Sequence, residues 1–232
     1  MKKTFKTELH AHTTPASSCS QITPEYMVEM YKNNGYTSVT VTNHFVYDNN
    51  GSPTDKIKFY LDDFYKTKEI AQKDGINIIL GAEIRFSENI NDYLVYGIDE
   101  NDLYKIEQLL GYGIDNFYKE FKNKRNIIIQ AHPFRDNIVL ANPQSIDGIE
   151  VFNMHPGHNS RIGFAAKHAR DNNLIPICGS DYHHFGHEAL CSIKTETPVK
   201  DSFELAQILN NTEYVMDISG FTVIPDYIRK DK

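Results

Sequence analysis

Short apolar runs alternate with longer amphipathic stretches along most of this chain. Residues 4–9 alternate between apolar and polar positions, and residues 38–42 are rich in β-branched side chains, so both segments are predicted to be strands. Further strands are predicted at residues 76–82, 93–98, 127–130, 148–152, 174–179 and 190–195. Because longer stretches separate these runs, the pattern is typical of an α/β fold with a parallel sheet, either open or closed.

Start and stop signals mark the helices between the strands. Thr23 is a candidate N-cap, Pro24 suits the first helical turn, and Asn-Asn-Gly at residues 33–35 ends that helix. Residues 56–73 are predicted to form a second amphipathic helix, which Asp-Gly at residues 74–75 closes. Further helices are predicted at residues 101–110, 114–124, 160–172 and 202–210.

Side chains that commonly bind metals lie beside the ends of these apolar runs. They are His10 and His12 after residues 5–9, His44 after 38–42, Glu83 after 76–82, Asp92 before 93–96, His132 after 127–130, Glu150 within 148–152, and Asp181 with His183 after 175–179. A closed barrel aims all such strand ends at one axis, whereas an open sheet concentrates ligands at one switch point. The barrel is the simpler geometry, and the convergence predicts a polynuclear metal site used for hydrolysis.

Two pairs of these residues are spaced two positions apart. His10 and His12 follow the first strand, and Asp181 and His183 follow the strand at residues 174–179. Residues two apart on an extended chain face the same way, so each pair can bind one ion. Both pairs are therefore predicted to be metal ligands.

Some of the carboxylates have more than one interpretation. Glu83 ends a strongly apolar run and therefore needs a positive partner, which is either a pair of cations or Arg85 in a surface ion pair. Glu150 is interpreted as a buried acid that orients a histidine rather than as a ligand. Asn43, beside His44, is likewise interpreted as a hydrogen-bond partner.

The composition is that of an ordinary soluble globular protein. The hydrophobic content is 40% and the charged content 24%, and a length of 232 residues fits one domain over residues 1–232, although a small second domain is also compatible. The formal net charge of -7 argues against broad binding of nucleic acids, whose partners are usually basic. It leaves an anionic substrate open, since bound divalent cations reverse the local field.

Targeting and redox features point to the cytoplasm. No apolar stretch is long enough for a signal peptide or a membrane span, so we expect a cytoplasmic protein without membrane attachment. Three widely separated cysteines, Cys19, Cys178 and Cys191, are unlike a disulfide framework. We expect them to be small buried or half-buried residues rather than zinc ligands.

The ordered set of motifs resembles the PHP (polymerase and histidinol phosphatase) domain family. The resemblance covers nearly the whole chain, and the motifs are Glu-Leu-His-Ala-His-Thr at residues 8–13, Thr-Asn-His at 42–44, Gly-Ala-Glu at 81–83, Ala-His-Pro at 131–133, Gly-Ile-Glu-Val-Phe-Asn at 148–153 and Gly-Ser-Asp-Tyr-His at 179–183. It implies a distorted (β/α)7 TIM-like barrel with a metal site at the C-terminal ends of the strands. It also implies two or three divalent ions, commonly zinc, manganese or iron, and hydrolysis of phosphate esters.

The resemblance assigns the ligands to individual ions. A first ion is held by His10, His12, Glu83 and Asp181; a second is shared through Glu83 and held by His132 and Asp92; a third is held by His44 and His183. Three departures from the family pattern change these expectations. A histidine common after the first motif is replaced within residues 17–19, so the third site is expected to be weak, empty or completed by water. Asp92 in place of a histidine favours manganese or iron, and Asn43 in place of an aspartate removes an acid.

The predicted reaction is hydrolysis of a phosphomonoester or phosphodiester in a small phosphorylated substrate. Asp181 and Glu83 are the predicted catalytic residues, and Arg135, His158 and Arg161 are predicted to bind substrate, with surface ion pairing as the alternative for both arginines. Two other classes stay open, namely an amidohydrolase-like enzyme that cleaves C–N or C–O bonds and a non-catalytic metal-binding module. Nucleic acid is expected only as a short substrate, and the oligomeric state is not predicted.

Overall fold

The computed structural model describes residues 3–49 and 51–225 of the chain. Within these residues the strands are β1 (Phe5–Ala11), β2 (Tyr36–Val41), β3 (His44–Val46), β4 (Asn77–Leu80), β5 (Ala82–Arg85), β6 (Asp92–Tyr96), β7 (Ile127–Gln130), β8 (Gly148–Asn153), β9 (Ile175–Gly179), β10 (Cys191–Thr195), β11 (Val215–Ile218) and β12 (Phe221–Val223). The α-helices are α1 (Pro24–Asn33), α2 (Pro53–Asp74), α3 (Glu100–Leu109), α4 (Gly113–Phe121), α5 (Ile162–Asn172) and α6 (Ser202–Asn211).

The helices form where capping residues and apolar periodicity agree. The Thr23 side chain caps α1 by accepting a hydrogen bond from Tyr26 N, and Pro24 occupies its first turn. Ser52 caps α2 in the same way, and Gly75 ends that helix in the left-handed conformation that a residue without a Cβ adopts readily. All six predicted helices are confirmed, with small shifts in their boundaries.

The strands form two six-stranded sheets, and two pairs of consecutive strands continue from one sheet into the other. Their orders are β12-β11-β10-β1-β2-β4 and β3-β5-β6-β7-β8-β9. The chain passes from β2 into β3 and from β4 into β5, and both steps keep parallel pairing, since β2 pairs with β4 and β3 with β5. Gly81 lies at the second bend, where a Cβ would lie only 2.9 Å from the Thr40 and Thr42 side chains. Each bent pair therefore acts as one stave of a barrel.

The staves follow one another around a common centre in the order β1, β2–β3, β4–β5, β6, β7, β8 and β9. The first stave meets the chain after β9 through a parallel bridge between Ala11 and Tyr182. Tyr182 O accepts a hydrogen bond from His12 N at 3.1 Å, and Tyr182 N donates to His10 O at 3.4 Å. The predicted α/β class and distorted TIM-like barrel are confirmed.

One stave runs against the others, which the expectation of a parallel sheet did not include. Strand β6 pairs antiparallel with both β5 and β7. Residues 86–91 connect β5 to β6, and so short a link makes a hairpin rather than a parallel crossover. The start of β6 consequently lies at the end of the barrel where its neighbours finish. This reversal places Asp92, its first residue, among side chains from the carboxyl ends of other strands.

The C-terminal strands extend the sheet outside the barrel. Strand β10, predicted at residues 190–195, pairs antiparallel with the first half of β1. Strands β11 and β12 add a hairpin beyond it and were not predicted. Strand β12 is short and largely exposed, so it lacks the buried face that makes a strand readable from apolar alternation.

Candidate metal centre

Side chains that commonly bind metals gather at the end of the barrel where the parallel strands finish. They face an open cavity of about 270 Å³. Its wall consists of Cys19, His44, Glu83, Arg85, Asp92, His132, Arg135, His155, His158, Asp181, His183 and His184. His10 and His12 lie behind this wall in contact with Glu83 and Asp181, and both histidines are fully buried. The structure thus brings all the predicted metal ligands into one cluster.

Glu83 lies at the centre of the cluster. Its Oε1 is 3.2 Å from His10 Nε2 and 3.2 Å from His132 Nε2. Its Oε2 is 2.8 Å from His44 Nδ1 and 3.4 Å from His12 Nε2. Burial alone would raise the pKa of Glu83, but the charges and hydrogen bonds of the surrounding imidazoles hold it well below its usual value. One carboxylate therefore reaches four imidazoles, which is the geometry of a bridging ligand.

Asp181 is the second shared carboxylate. Its Oδ1 lies 3.5 Å from His10 Nε2, 3.6 Å from His12 Nε2 and 3.2 Å from His183 Nδ1, while Oδ2 lies 3.2 Å from His158 Nδ1. Burial would raise the pKa of Asp181, but His10 and hydrogen bonds from His158 and His183 lower it well below its usual value. Its φ of 51° is in the left-handed region, a strained conformation that the surrounding contacts must maintain.

Glu150 fixes the orientation of His10. His10 Nδ1 lies 2.9 Å from Glu150 Oε1. A carboxylate oxygen accepts, so Nδ1 donates, and Nε2 is directed at Glu83 and Asp181, where it would bind a cation. The other oxygen of Glu150 accepts from His132 N at 2.9 Å and from Asn153 Nδ2 at 2.9 Å. The structure therefore places Glu150 as a residue that orients the ligands.

A series of hydrogen-bonded side chains fixes the orientation and the tautomer of His12 in the same way. Asn43 Nδ2 donates to Asp63 Oδ2 at 2.8 Å, which leaves Asn43 Oδ1 to accept from the Ser17 hydroxyl at 2.9 Å. Ser17 has then used its only proton, so it accepts from His12 Nδ1 at 3.1 Å. His12 Nε2 consequently carries a lone pair directed at the carboxylates. Asn43 is the predicted hydrogen-bond partner, whereas Ser17 and Asp63 carry no motif that marked them.

The residues present fit a metal centre. Among the described residues, His10 Nε2, His12 Nε2 and Glu83 Oε2 are buried without a well-aligned hydrogen bond, although each lies within ion-pair distance of a partner. Ligand atoms of His10, His12 and Glu83 lie within 4.8 Å of one another, as do those of His12, His44 and His183 and those of His44, Glu83 and Asp92. Nitrogen and oxygen donors of this kind suit zinc, manganese or iron, and a cation would satisfy the buried atoms.

Asp92 faces the cluster but also holds an arginine. Arg85 donates to it in a bidentate pair, with Nε to Oδ1 and one terminal nitrogen to Oδ2, both at 2.7 Å. The antiparallel register places Arg85 directly opposite Asp92. Asp92 Oδ2 is also 3.6 Å from His132 Nε2. The ion-pair partner of Arg85 is therefore Asp92 and not Glu83, and the role of Asp92 as a ligand stays a prediction.

The outer part of the centre contains a thiol. His44 Nε2 and His183 Nε2 lie 3.5 Å apart. Cys19 lines the cavity beside them, and although partial desolvation of the sulfur raises the pKa of its thiol, hydrogen bonds with His183 and His44 lower it to about 6. The expectation of a buried or half-buried cysteine is wrong for Cys19, which is exposed because it lies on the loop after β1, and right for Cys178 and Cys191.

The predicted substrate-binding residues separate into two groups. Arg135 lines the cavity with a guanidinium nitrogen 3.9 Å from Asp92 Oδ2, and His158 lines it beside Asp181. Arg161 lies outside the set of described residues that form the wall, and its guanidinium donates to the Phe134 carbonyl and to Asp136. Arg85 is the second guanidinium of the cavity, a position that its spacing from Glu83 did not reveal.

The fold and the cluster define an α/β barrel with a candidate metal-binding site. A family model described as the PHP domain matches residues 8–218, and the chain belongs to the PHP domain family. The family and fold predicted from the motifs are thereby confirmed. Among curated proteins, none matches this chain.

Solved structures share this fold at low sequence identity. A two-domain protein from Bacteroides vulgatus containing a predicted PHP-like metal-dependent phosphoesterase is similar with a TM-score of 0.66 and 19% identity over 94% of this chain, which spans 66% of that protein. A proposed metal-dependent phosphoesterase from Bifidobacterium adolescentis has a TM-score of 0.52 and 16% identity, over 90% of this chain and 97% of that one. An amidohydrolase from Chromobacterium violaceum was solved with bound sulfate and no metal. It has a TM-score of 0.54 and 13% identity, over 78% of this chain and 89% of that one.

None of the described helices combines the length and the apolar character needed to cross a bilayer.

Proposed function

We propose that this protein is a metal-dependent phosphoesterase that hydrolyses a small phosphate ester. The observation that carries the proposal is the pairing of two features in one cavity. At the base of the cavity, Glu83 lies against four imidazoles. The guanidiniums of Arg85 and Arg135 form part of the cavity wall. Cation ligands and phosphate-binding groups thus face the same space.

The inner residues would hold the cations. His10, His12, Glu83 and Asp181 form the most buried set, His132 reaches Glu83 from the opposite side, and His44 and His183 lie nearest the opening. When bound, two or three divalent ions supply Lewis acidity toward phosphoryl oxygens and make a water molecule more acidic. Zinc, manganese and iron all suit this mixture of imidazole and carboxylate.

The arginines would bind and orient the phosphate. Arg85 is held by its bidentate contact with Asp92, so its guanidinium has a fixed position on the wall. Arg135 Nη2 lies 3.9 Å from the same carboxylate, which leaves its other donors for an anion. A guanidinium matches the spacing of two phosphate oxygens, so these side chains favour a phosphate over a neutral substrate.

Asp181 would position the attacking water and receive its proton. Its carboxylate is held ionised by the neighbouring imidazoles, which keep its pKa low. Oδ2 is directed toward His158, a cavity residue at 3.2 Å. Water would give its proton to Asp181, and His158, which lies beside this carboxylate, would act as the acid that protonates the leaving oxygen. Glu83 contributes by holding the imidazoles at fixed distances.

The test is a substrate panel with the manganese- and zinc-loaded protein. We expect release of phosphate or alcohol from p-nitrophenyl phosphate or bis(p-nitrophenyl) phosphate, and loss of that release with a chelator. Arg135→Met is expected to raise KM about tenfold, since a charge-assisted hydrogen bond contributes about 1.5–3 kcal/mol. Arg161→Met, which removes a guanidinium outside the cavity wall, is the matched comparison and is expected to leave KM unchanged.

The competing outcome is hydrolysis of a C–N bond. The similar fold of the Chromobacterium violaceum amidohydrolase makes amides and cyclic imides the appropriate second panel. Hydrolysis of amides without any turnover of phosphate esters would replace the proposal with that activity. Bound metal without hydrolysis of either panel would favour a non-catalytic metal-binding module.

A further inference from the structure

Cys19 and two histidines form an outer group at the mouth of the cavity. Cys19, His44 and His183 all line the cavity. His44 Nε2 lies 3.5 Å from His183 Nε2. A thiol beside two converging imidazoles is a set of donors that binds borderline and soft cations.

A buried and unpartnered nitrogen faces this group from the inside. His12 is fully buried, and within the described chain its Nε2 has no hydrogen-bond partner. Ligand atoms of His12, His44 and His183 lie within 4.8 Å of one another. The Ser17 hydroxyl fixes the His12 ring through Nδ1, so the lone pair of Nε2 cannot turn away. This second observation indicates a ligand between the three imidazoles rather than a lone reactive cysteine.

The backbone holds the thiol in place on a short loop. Ser17 N and Ser20 N are hydrogen-bonded to Thr13 O and Ser17 O, and Ser20 Oγ donates to His12 O at 3.1 Å. Gln21 N donates to His183 O at 2.9 Å, which ties the loop to the His183 segment. Cys19 therefore belongs to a loop that is fastened on both sides to the backbone of candidate ligands.

We propose that Cys19 is a cation ligand, which with His44 and His183 makes a mixed thiolate–imidazole site at the cavity mouth, next to the inner ion that His12 faces. The thiol loses its proton to solvent as the sulfur–metal bond forms. Such a site favours zinc, cobalt(II) or iron(II) over magnesium and manganese. The inference rests on the proposed function in that the site belongs to the same metal centre, and it replaces the sequence-based expectation of an outer ion that is weak, empty or completed by water.

The test uses cobalt(II) in the full-length protein. A cysteine ligand gives a near-ultraviolet sulfur-to-cobalt charge-transfer band that imidazole and carboxylate ligands do not give. We expect this band in the wild-type protein and in Cys191→Ala, which removes a buried thiol elsewhere. Cys19→Ser should lose the band and one tightly bound cobalt per chain. Cys19→His should keep the bound cobalt without the band.

Thiol labelling gives a second readout that does not depend on turnover. Cys178 and Cys191 are 0% and 2% exposed, so iodoacetamide under native conditions reports on Cys19. Saturating zinc is expected to slow alkylation of Cys19 about tenfold or more, because a metal-bound thiolate is a poor nucleophile. Peptide mass spectrometry identifies the labelled residue.

The outcomes separate this inference from the proposed function. Bound cobalt with no charge-transfer band, together with unchanged labelling in zinc, would overturn the role of Cys19 and leave the inner metal centre intact. Failure of the protein to bind any cobalt would overturn both. A band that persists in Cys19→Ser would assign the sulfur ligand to another cysteine and also reject the proposal.

Discussion

Two groups of histidines in this protein have different surroundings. The inner group, defined as His10 and His12, has a fixed acceptor for each Nδ1, namely Glu150 and Ser17. The rim group, defined as His155, His158, His184 and His187, is held largely by contacts between the rings themselves. His155 stacks on His158 at a centroid distance of 4.0 Å and meets His187 edge-on at 4.9 Å.

The difference concerns which nitrogen is available to a cation. An acceptor on Nδ1 fixes the tautomer and directs the lone pair of Nε2, which prepares a ligand before any metal binds. Burial and neighbouring histidines lower the pKa of His155 to about 4, so it is neutral, but its Nδ1 already accepts from Gly157 N at 3.0 Å. Under the proposed function, the inner group is suited to bind metals, and the rim group to contact the substrate and, through His158, to transfer a proton.

The largest effect is expected at Asp181, where the two groups meet. Asp181→Asn removes the charge that faces His10 and His183 on one side and His158 on the other. We expect turnover of a phosphate ester to fall on the order of 10⁴-fold, as for other residues that act within one catalytic unit. Asp62→Asn, an exposed acid paired with Lys58, is the control. Retained activity on every ester tried would remove Asp181 from the mechanism.

The next effect tests whether the fixed acceptor on Nδ1, which sets the tautomer, is what distinguishes the inner group. Glu150→Gln places an amide NH₂ against donors, because His10 Nδ1, His132 N and Asn153 Nδ2 all donate to this carboxylate. We expect metal affinity to fall about 10–100-fold, measured by competition with a chromophoric chelator. Glu69→Gln, whose carboxylate is exposed beside Lys73, is the matched control. Unchanged affinity would show that the inner histidines need no fixed acceptor.

A smaller effect is expected at Gly179, where the backbone lies close to the contact between His10 and Glu150. A Cβ at Gly179 would overlap Glu150 Oε1 and His10 Cβ, both buried, whereas a Cβ at Gly163 meets nothing within 4 Å. Gly179→Ala is expected to lower the free energy of unfolding by about 1–3 kcal/mol through overpacking. Gly163→Ala should leave it unchanged or raise it by up to about 1 kcal/mol. Equal stabilities in urea unfolding would mean that Glu150 can retreat without cost.

The smallest effect is expected on the rim. His187→Asn keeps a polar side chain on a loop and changes no inner contact, so kcat/KM should change about twofold or less, as is usual for surface substitutions. A loss greater than about tenfold would give His187 a catalytic role in addition to the one proposed for His158. Measurement with a small and a large phosphate ester separates catalysis from contact with the substrate.

The candidate ligands could be predicted from the sequence because each of them lies near an end of a strand. His10, Glu83, His132 and Asp181 each follow an apolar run, and the barrel brings those ends together. This prediction needs only the spacing of apolar residues along the sequence and the alternation of strands and helices. The short connection at residues 86–91 also contains the signal for the reversed strand β6, since it is too short for a parallel crossover.

The partners of the ligands were harder to predict. Arg85 pairs with Asp92 because β5 and β6 are antiparallel and in register, which depends on a strand direction that alternation did not reveal. Ser17 contacts His12 directly, and Asp63 is linked to it through Asn43 and Ser17, over hydrogen bonds between distant segments. Cys19 lies near His44 and His183 only because the loop after β1 folds back over the cavity. Such contacts follow from tertiary geometry, which residue spacing does not encode.

The most direct test of the metal centre is a crystal structure of the protein grown with excess manganese or zinc, with anomalous scattering recorded for the added metal. We expect at least one anomalous peak bounded by His10, His12, Glu83 and Asp181, with Nε2 of both histidines directed at it. A map without a peak there, with these four side chains pointing apart, would contradict the account.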